Sequence, residues 1–86
     1  MEANLYIHSM PTQPIFIEIE TRGELPQLQE EYCFFPTLAN KLRLIQEDYV
    51  IKNVYMNSNQ FSNGVRKIVE EVCGIKVKGI EVDDGN

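Results

Sequence analysis

Apolar and polar residues alternate along residues 14–21, PIFIEIET, with the two-residue period of a strand. Isoleucines occupy one side of this stretch, at Ile15, Ile17 and Ile19. The other side carries Phe16, Glu18 and Glu20. We therefore predict a strand with one face in a hydrophobic core. A preceding strand is predicted over residues 4–10, because the prolines at positions 11 and 14 favour a turn between the two strands.

Two later stretches space their apolar residues as an amphipathic helix does, at i, i+4, i+7 and i+11. The first stripe, within residues 36–49, consists of Leu38, Leu42, Ile45 and Tyr49. The second stripe, within residues 60–73, consists of Phe61, Val65, Ile68 and Val72. We expect Thr37 to cap the first helix, and Gly74 to end the second in a left-handed conformation.

A strand is predicted directly after the first helix, in residues 50–57. Val50, Val54 and Met56 would share one face of it, with Ile51 and Tyr55 on the other. Because both faces carry apolar residues, this segment is typical of an inner strand.

The last predicted strand, in residues 75–82, changes phase within its length. Ile75 and Val77 have odd numbers, whereas Ile80 and Val82 have even numbers. One extra residue near Gly79 would bring all four side chains to the same face. We therefore predict a β-bulge at this glycine.

The order of these elements is β-β-(β)-α-β-α-β, followed by a polar tail over residues 82–86. The bracketed element marks an open region, in which residues 25–32 fit a short helix and residues 31–36 fit a third strand. We predict a single α+β domain over residues 1–86, with a mixed four- or five-stranded sheet and both helices on one face. With the third strand present, the order is also similar to a ribonuclease H-like arrangement. Catalytic carboxylates would be lacking, because the predicted first strand has none.

Length and composition are those of a small globular protein. The chain has 86 residues, 43% of them hydrophobic, and no apolar run long enough to span a membrane. Its first residues lack the basic and apolar regions of a signal peptide. The two cysteines, Cys33 and Cys73, are expected to be free thiols in the cytoplasm. Since so short a domain buries only about 60–65% of its unfolded surface, a homodimer is one way to gain stability.

Charge is distributed unevenly along the chain, whose net charge is −5. Residues 1–36 contain six glutamates and one arginine, residues 37–78 contain seven basic and four acidic residues, and residues 79–86 contain three acidic residues. The absence of a cationic excess argues against non-specific nucleic-acid binding. It favours a partner protein with a basic surface, or a second copy docked in reverse. The alternative is that the charges mix on a solvated surface.

The chain lacks the residues that most enzyme chemistries require. His8 is the only histidine, which excludes a metal site built on several histidines, and neither cysteine has a second ligand nearby in the sequence. Neither the phosphate-binding G-x-x-x-x-G-K-[ST] motif nor the dinucleotide-binding G-x-G-x-x-G motif occurs. We therefore expect no catalytic residue, no metal ligand and no cofactor.

These observations favour a small acidic, non-enzymatic protein-interaction module. It would act as an adaptor, a regulatory subunit or an inhibitor of a larger protein, roles common among small proteins encoded by phage and mobile elements. The candidate partner-binding residues are Glu18, Glu20, Glu24, Glu30, Glu31 and Phe16. A simpler explanation of Glu18 and Glu20 is that they form the solvated side of a half-buried strand.

A second hypothesis is a nucleotide- or phosphate-binding site in residues 57–67, where a strand passes through a polar loop into a helix. Its candidate residues are Asn57, Ser58, Asn59, Ser62, Asn63, Gly64 and Arg66. Helix capping by Ser58, Asn59 or Ser62, with Arg66–Glu70 and Lys67–Glu71 pairs, explains the same residues without a ligand, and we favour it. A third hypothesis is a degenerate nuclease-like fold that serves as a scaffold.

Overall fold

The computed structural model describes residues 1–23, 27–57 and 63–79. Its elements are β1 (Glu2–His8), β2 (Ile15–Thr21), β3 (Leu28–Cys33), α1 (Leu38–Asp48), β4 (Val50–Met56), α2 (Asn63–Cys73) and β5 (Lys78–Gly79). A 3₁₀ turn, Phe35–Thr37, leads into α1. This order confirms the predicted α+β arrangement, and it assigns the ambiguous stretch before the first helix to a strand. The helical alternative is therefore wrong for the described part of residues 25–32, and the strand begins three residues earlier than predicted.

The five strands form one mixed sheet in the order β3-β2-β1-β4-β5. β1 pairs antiparallel with β2 and parallel with β4. β2 also pairs antiparallel with β3, and β5 lies parallel to β4. The first two strands therefore form an antiparallel hairpin, and β4, α2 and β5 form a parallel β-α-β unit. The ribonuclease H-like alternative stays a prediction.

The hydrophobic core lies between one face of the sheet and the two helices. Burial alternates along β2, and it alternates along β1 except that Asn4 is buried as well, so that the isoleucines of β2 and the odd-numbered residues of β1 point into the core. Its fully buried large side chains are Leu5, Ile7, Ile17, Ile19, Leu38, Leu42, Val54, Met56 and Val69. α1 and α2 have eleven residues each. Within the described residues, neither is long and apolar enough to cross a membrane.

α1 buries the predicted stripe, with Leu38, Leu42 and Ile45 in the core. Tyr49 lies just beyond the helix, and its hydroxyl donates to Gln29 Oε1 of β3 at 3.2 Å. The expected capping by Thr37 is wrong, because its side chain makes no hydrogen bond to the helix amides. The Thr37 hydroxyl instead donates to the Phe34 carbonyl at 3.1 Å, which stabilises the 3₁₀ turn.

α2 buries Val65 and Val69, which are four residues apart. The predicted stripe is therefore partly wrong, because Ile68 and Val72 are half-buried at the margin of the core and Val69 lies at its centre. Phe61 lies outside the described residues. Gly74 ends the helix with φ of 67°, as predicted, and its amide donates to the Glu70 carbonyl at 2.9 Å.

β4 contains an irregularity that reverses part of the predicted face assignment. Ala3 pairs with Ile51, but the next residue, Asn4, pairs with Asn53, so that Lys52 is an extra residue in the ladder. The phase changes at this bulge, which places Ile51 in the core beside Val54 and leaves Val50 exposed. The prediction that Val50 shares a face with Val54 and Met56 is therefore wrong.

β1 begins and ends two residues earlier than the sequence predicts. β1 starts early because it pairs with both neighbouring strands there. The Val50 amide donates to the Met1 carbonyl at 2.8 Å, and the Arg22 amide donates to the Glu2 carbonyl at 3.0 Å. β1 therefore does contain one carboxylate, in Glu2 at its first position. Glu2 pairs with Lys52 at 3.4 Å near the surface.

Residues 75–77 do not form the predicted strand, and among the described residues β5 covers Lys78–Gly79. The Val77 amide donates to the carboxylate of Glu70 at 2.9 Å, so a side chain of α2 takes the place of a strand partner. Ile75 and Val77 still pack against the core. Residues 80–86, which include the polar tail and the side chains on which the predicted bulge at Gly79 depends, lie outside the described residues.

Both cysteines are free thiols. Cys33 is buried at the end of β3, and Cys73 is half-buried at the end of α2. Burial raises the pKa of the Cys73 thiol from 9.0 to about 11, and it also raises the pKa of Cys33. Both thiols are therefore protonated at neutral pH and are poor nucleophiles.

Leu42 and Leu44 test the packing of α1, because Leu42 is fully buried and Leu44 is 57% exposed on the same helix. We expect Leu42→Ala to lower the free energy of unfolding by about 2–5 kcal/mol, through lost burial and a cavity. Leu44→Ala should change it by less than about 0.5 kcal/mol. Urea unfolding followed by circular dichroism measures both, and equal effects would contradict this orientation of α1.

Cys73 should react slowly with iodoacetamide in the folded protein. A pKa raised from 9.0 to about 11 lowers the thiolate fraction at pH 8 about a hundredfold. Because folding favours the protonated thiol, this contribution to stability is present below pH 9 and is lost as the pH rises through about 11. Mass spectrometry of a Cys33→Ala variant, folded and in urea, gives the two alkylation rates. Similar rates would show that Cys73 is not protected.

Candidate functional site

The sheet face opposite the helices carries polar and aromatic side chains, and neither α1 nor α2 packs on it. We call this surface the open face. Its residues come from all five strands and are Asn4, Tyr6, His8, Phe16, Glu18, Glu20, Leu28, Glu30, Tyr32, Asn53, Tyr55 and Lys78. Strand pairing places them in rows that cross the sheet. The open face therefore combines residues that are far apart in the sequence.

One row of the open face is a continuous aromatic stack that ends at the sheet edge. His8 pairs with Phe16, and Phe16 pairs with Tyr32. The ring centroids of His8 and Phe16 are 5.4 Å apart, and those of Phe16 and Tyr32 are 4.9 Å apart, with the ring planes inclined by 27° and 28°. Tyr32, on the edge strand, is 59% exposed. The stack therefore presents an apolar surface that a planar or aliphatic group can contact.

A second stack lies on the other side of β1, where Tyr6 and Tyr55 face each other with centroids 5.1 Å apart. The ammonium group of Lys78 lies 5.8 Å from the centroid of the Tyr55 ring and donates to Asn53 Oδ1 at 3.0 Å. Lys78 lies on β5, three strands away from Glu18 and Glu20 on β2.

Two glutamates of the open face are held by neighbouring side chains. Glu18 Oε1 lies 2.9 Å from His8 Nε2. Glu20 Oε1 accepts hydrogen bonds from Asn4 at 3.2 Å and from the Tyr6 hydroxyl at 3.3 Å. Burial, and then the charge of Glu20, raise the pKa of Tyr6, so the hydroxyl keeps the proton that it donates. These contacts fix the orientation of both carboxylates, and each keeps a second oxygen for which no partner is seen in the described residues.

Glu30 lies directly opposite Glu18 in the β2–β3 ladder. Like charges opposed across a strand pair destabilise a sheet by up to about 1 kcal/mol. Among the described residues, Glu30 forms no ion pair that would offset this repulsion. The centre of the open face therefore holds two opposed carboxylates, Glu18, which contacts His8, and Glu30, which forms no ion pair among the described residues.

The predicted partner-binding residues are divided between two faces of the sheet. Phe16, Glu18, Glu20 and Glu30 are brought together on the open face. Glu31 points to the helix side, where Lys41 of α1 pairs with it at 3.4 Å. Glu24 lies outside the described residues. The structure therefore groups four of the six candidates and places Glu31 elsewhere.

Two apolar clefts flank Phe34, which follows β3 and is 63% exposed. One has a volume of about 630 Å³ and lies between the β1–β2 turn and the start of α2, with Met10, Phe35 and Val65 in its wall. The other has a volume of about 460 Å³ and lies between the end of β3 and α1, with Cys33 and Leu44 in its wall. The second cleft adjoins the sheet edge at which the aromatic stack ends, whereas the first lies beside the β1–β2 turn.

The candidate anion site in residues 57–67 is only partly described, because Ser58, Asn59 and Ser62 lie outside the described residues. Asn57 has a structural role: its side chain accepts from the Ser9 amide at 3.0 Å and donates to the Ser9 carbonyl at 3.1 Å. These bonds continue the β1–β4 pairing beyond the end of both strands. Asn57 therefore has little capacity left for a ligand.

The other described residues of this segment lie at the start of α2. Asn63 and Gly64 are exposed, with Gly64 beside the ring of Phe35. Arg66 is half-buried, and its Nε is a buried donor that lacks a partner among the described residues. The expected Arg66–Glu70 and Lys67–Glu71 pairs are not among the ion pairs of the described residues, and that expectation is wrong. The Glu70 carboxylate binds the Val77 amide instead.

Several residues of the open face do not stand out in the sequence. Asn4, Tyr6 and His8 alternate with Ala3, Leu5 and Ile7, a pattern that identifies them as one face of β1. The sequence does not reveal that this face adjoins Glu18 and Glu20, because that requires the pairing register. Tyr55 and Lys78 come from parallel strands whose neighbours are set by the whole topology.

Asn57 should contribute to stability through its two hydrogen bonds to Ser9. We expect Asn57→Ala to lower the free energy of unfolding by about 1–3 kcal/mol, because it leaves the Ser9 amide and carbonyl without these partners. Asn40→Ala, at an exposed position of α1, is the matched control and should have little effect. Urea unfolding compares the two. An unchanged stability for Asn57→Ala would show that these bonds are not structural and would restore Asn57 as a candidate ligand.

Comparison with known proteins identifies no relative, since no family model, no curated protein and no solved structure matches this chain. The geometry of the open face is therefore the basis on which a function can be assigned.

Proposed function

We propose that this protein is a non-enzymatic interaction module whose open face binds a basic segment of another protein. The observation that supports this most is the opposed pair of carboxylates Glu18 and Glu30, which lies beside the exposed aromatic stack. Such a module would serve as an adaptor, a regulatory subunit or an inhibitor. The free thiols Cys33 and Cys73 are compatible with the cytoplasmic location expected from the sequence.

A cationic partner fits the electrostatics of the open face. Glu18, Glu20 and Glu30 lie within two adjacent strands, β2 and β3, whereas Lys78 lies on β5 at the other edge of the sheet. A cation placed between Glu18 and Glu30 converts their repulsion into two attractions. It also speeds association, because the opposite charges attract over a distance of about 10 Å at 0.1 M salt.

Arginine fits the open face better than lysine does. Its planar guanidinium group can bind a carboxylate through two parallel hydrogen bonds and can also stack on an aromatic ring. Glu30 and Tyr32 provide these two groups two positions apart on the same face of β3. The aliphatic part of the arginine side chain would cover Leu28 or Tyr32, both of which are exposed.

Single-stranded nucleic acid also stacks on aromatic residues of open sheets, but such surfaces combine stacking with a positively charged groove. Here the aromatic stack lies beside glutamates, which repel phosphates. The same argument applies to a nucleotide on the open face. The phosphate-binding alternative in residues 57–67 is not supported further, because Asn57 is engaged with Ser9.

Neutralising the open face should weaken binding of a fluorescein-labelled oligo-arginine peptide. We expect the variant Glu18→Gln with Glu30→Gln to bind about three to ten times more weakly than the wild type, since two ion pairs are lost. Fluorescence anisotropy measures the affinity. An oligo-lysine peptide of equal length should bind more weakly than oligo-arginine, because lysine lacks the stacking and bidentate contacts.

The matched control is Glu47→Gln with Asp48→Asn, which changes the net charge equally at the exposed end of α1. This variant should bind the peptide almost as the wild type does. If both variants lose the same affinity, the peptide responds only to overall charge, and the proposed site on the open face is wrong. An oligo-arginine peptide that does not bind the wild type would contradict the proposal as a whole.

A further inference from the structure

The outer edge of β3 has a defined set of free backbone groups. The Thr21 amide donates to the Gln27 carbonyl at 2.9 Å, so the odd-numbered residues of β2 bond toward β3. On its other side, β2 bonds β1 through even-numbered residues, as the Arg22 amide donating to the Glu2 carbonyl shows. The same alternation holds in β3, where the amides and carbonyls of Gln29, Glu31 and Cys33 point toward β2.

Leu28, Glu30 and Tyr32 therefore direct their amides and carbonyls away from the sheet. No strand of the described residues pairs with this side of β3. Edge strands of this kind are where extended peptides add to a sheet, through main-chain hydrogen bonds with alternate side chains in pockets. The side chains of the same three residues lie on the open face, so a strand added here would lie directly beside the proposed binding site.

The cleft of about 460 Å³ lies on the other side of the same edge, between β3 and α1. Side chains of an added strand point alternately to the two faces of the sheet. One set would lie beside Glu30 and Tyr32 on the open face. The other set would point toward the cleft, whose wall includes Cys33, Phe34 and Leu44. The edge thus fits a segment that alternates basic and apolar residues.

A second copy of this chain does not fit the edge well. Antiparallel pairing of two β3 strands around a two-fold axis would bring the acidic residues Glu30 and Glu31 of each copy close to those of the other. Acidic residues on edge strands oppose such self-pairing. They favour a strand whose charged residues are basic.

We propose that β3 accepts an extended segment of the partner protein as a sixth, antiparallel strand. Arginine or lysine residues of this segment lie opposite Leu28, Glu30 and Tyr32 and bond to their backbone groups. Its apolar residues, on the opposite face, contact the cleft between β3 and α1. This inference rests on the proposed function and adds the binding mode and the sequence pattern of the ligand.

The probe is a synthetic peptide, acetylated and amidated, with the sequence Val-Arg-Val-Arg-Val-Arg-Val. Two N-methylated versions separate backbone pairing from charge. Methylation of the arginine amides removes the donors that face β3, whereas methylation of the valine amides removes donors that face solvent. We expect the first to weaken binding at least about tenfold by isothermal titration calorimetry, and the second to leave it nearly unchanged.

Different failures of this experiment have different meanings. If both N-methylated peptides bind as well as the parent, strand addition is wrong while binding of a cation to the open face stands. The same conclusion follows if oligo-arginine binds and the alternating peptide does not. If neither peptide binds, the proposed function fails as well.

Glu30 provides a matched pair of protein variants. Glu30→Ala and Glu30→Pro both remove the charge, but only the proline removes the outward amide, and proline is tolerated on edge strands where the amide faces solvent. We expect Glu30→Pro to bind the alternating peptide at least about threefold more weakly than Glu30→Ala. Equal affinities in two folded variants would overturn strand addition, and the N-methylated peptides decide the question if the proline variant unfolds. A concentration-dependent dimer that Glu30→Pro abolishes would identify a second copy as the occupant instead.

Discussion

The pairing of β1 with both β2 and β4 is the contact on which the rest of the structure depends. β1 is the central strand, antiparallel to one neighbour and parallel to the other. Its alternation sends Leu5 and Ile7 to the helices, and Tyr6 and His8 to the open face. Without this register the core would lose its central layer, and the aromatic and acidic rows would not form. Asn57 extends the same pairing by one step, which explains why a polar residue is used at the end of β4.

Much of the fold follows from local patterns in the sequence. The isoleucines of β2 and the stripe of α1 identify elements whose burial matches a single period. The errors occur where a neighbour interrupts the period. Lys52 shifts the phase of β4 because one extra residue fits opposite β1, and Glu70 takes the Val77 amide that a strand would need. Neither the bulge at Lys52 nor the contact between Glu70 and Val77 can be recognised from the sequence of the strand alone.

The candidate site was less predictable than the fold, for a related reason. That Glu18 and Glu20 share a face follows from their spacing, but that Glu30 lies opposite Glu18 follows from the hairpin register. Glu30 and Glu31 are adjacent in the sequence and equally acidic, yet they point to opposite sides, and Lys41 pairs with the second. Local composition therefore identifies an acidic region, whereas tertiary pairing decides which of its charges remain available.

The opposition of Glu18 and Glu30 also links occupancy to folding. In the ligand-free protein, repulsion between the two carboxylates destabilises the pairing of β2 with β3. Under the proposed function, a bound cation would offset this repulsion and so stabilise the pairing of β3 with β2. The pairing of β3 is therefore weaker in the ligand-free protein. Fraying of β3 should decrease when the site is occupied.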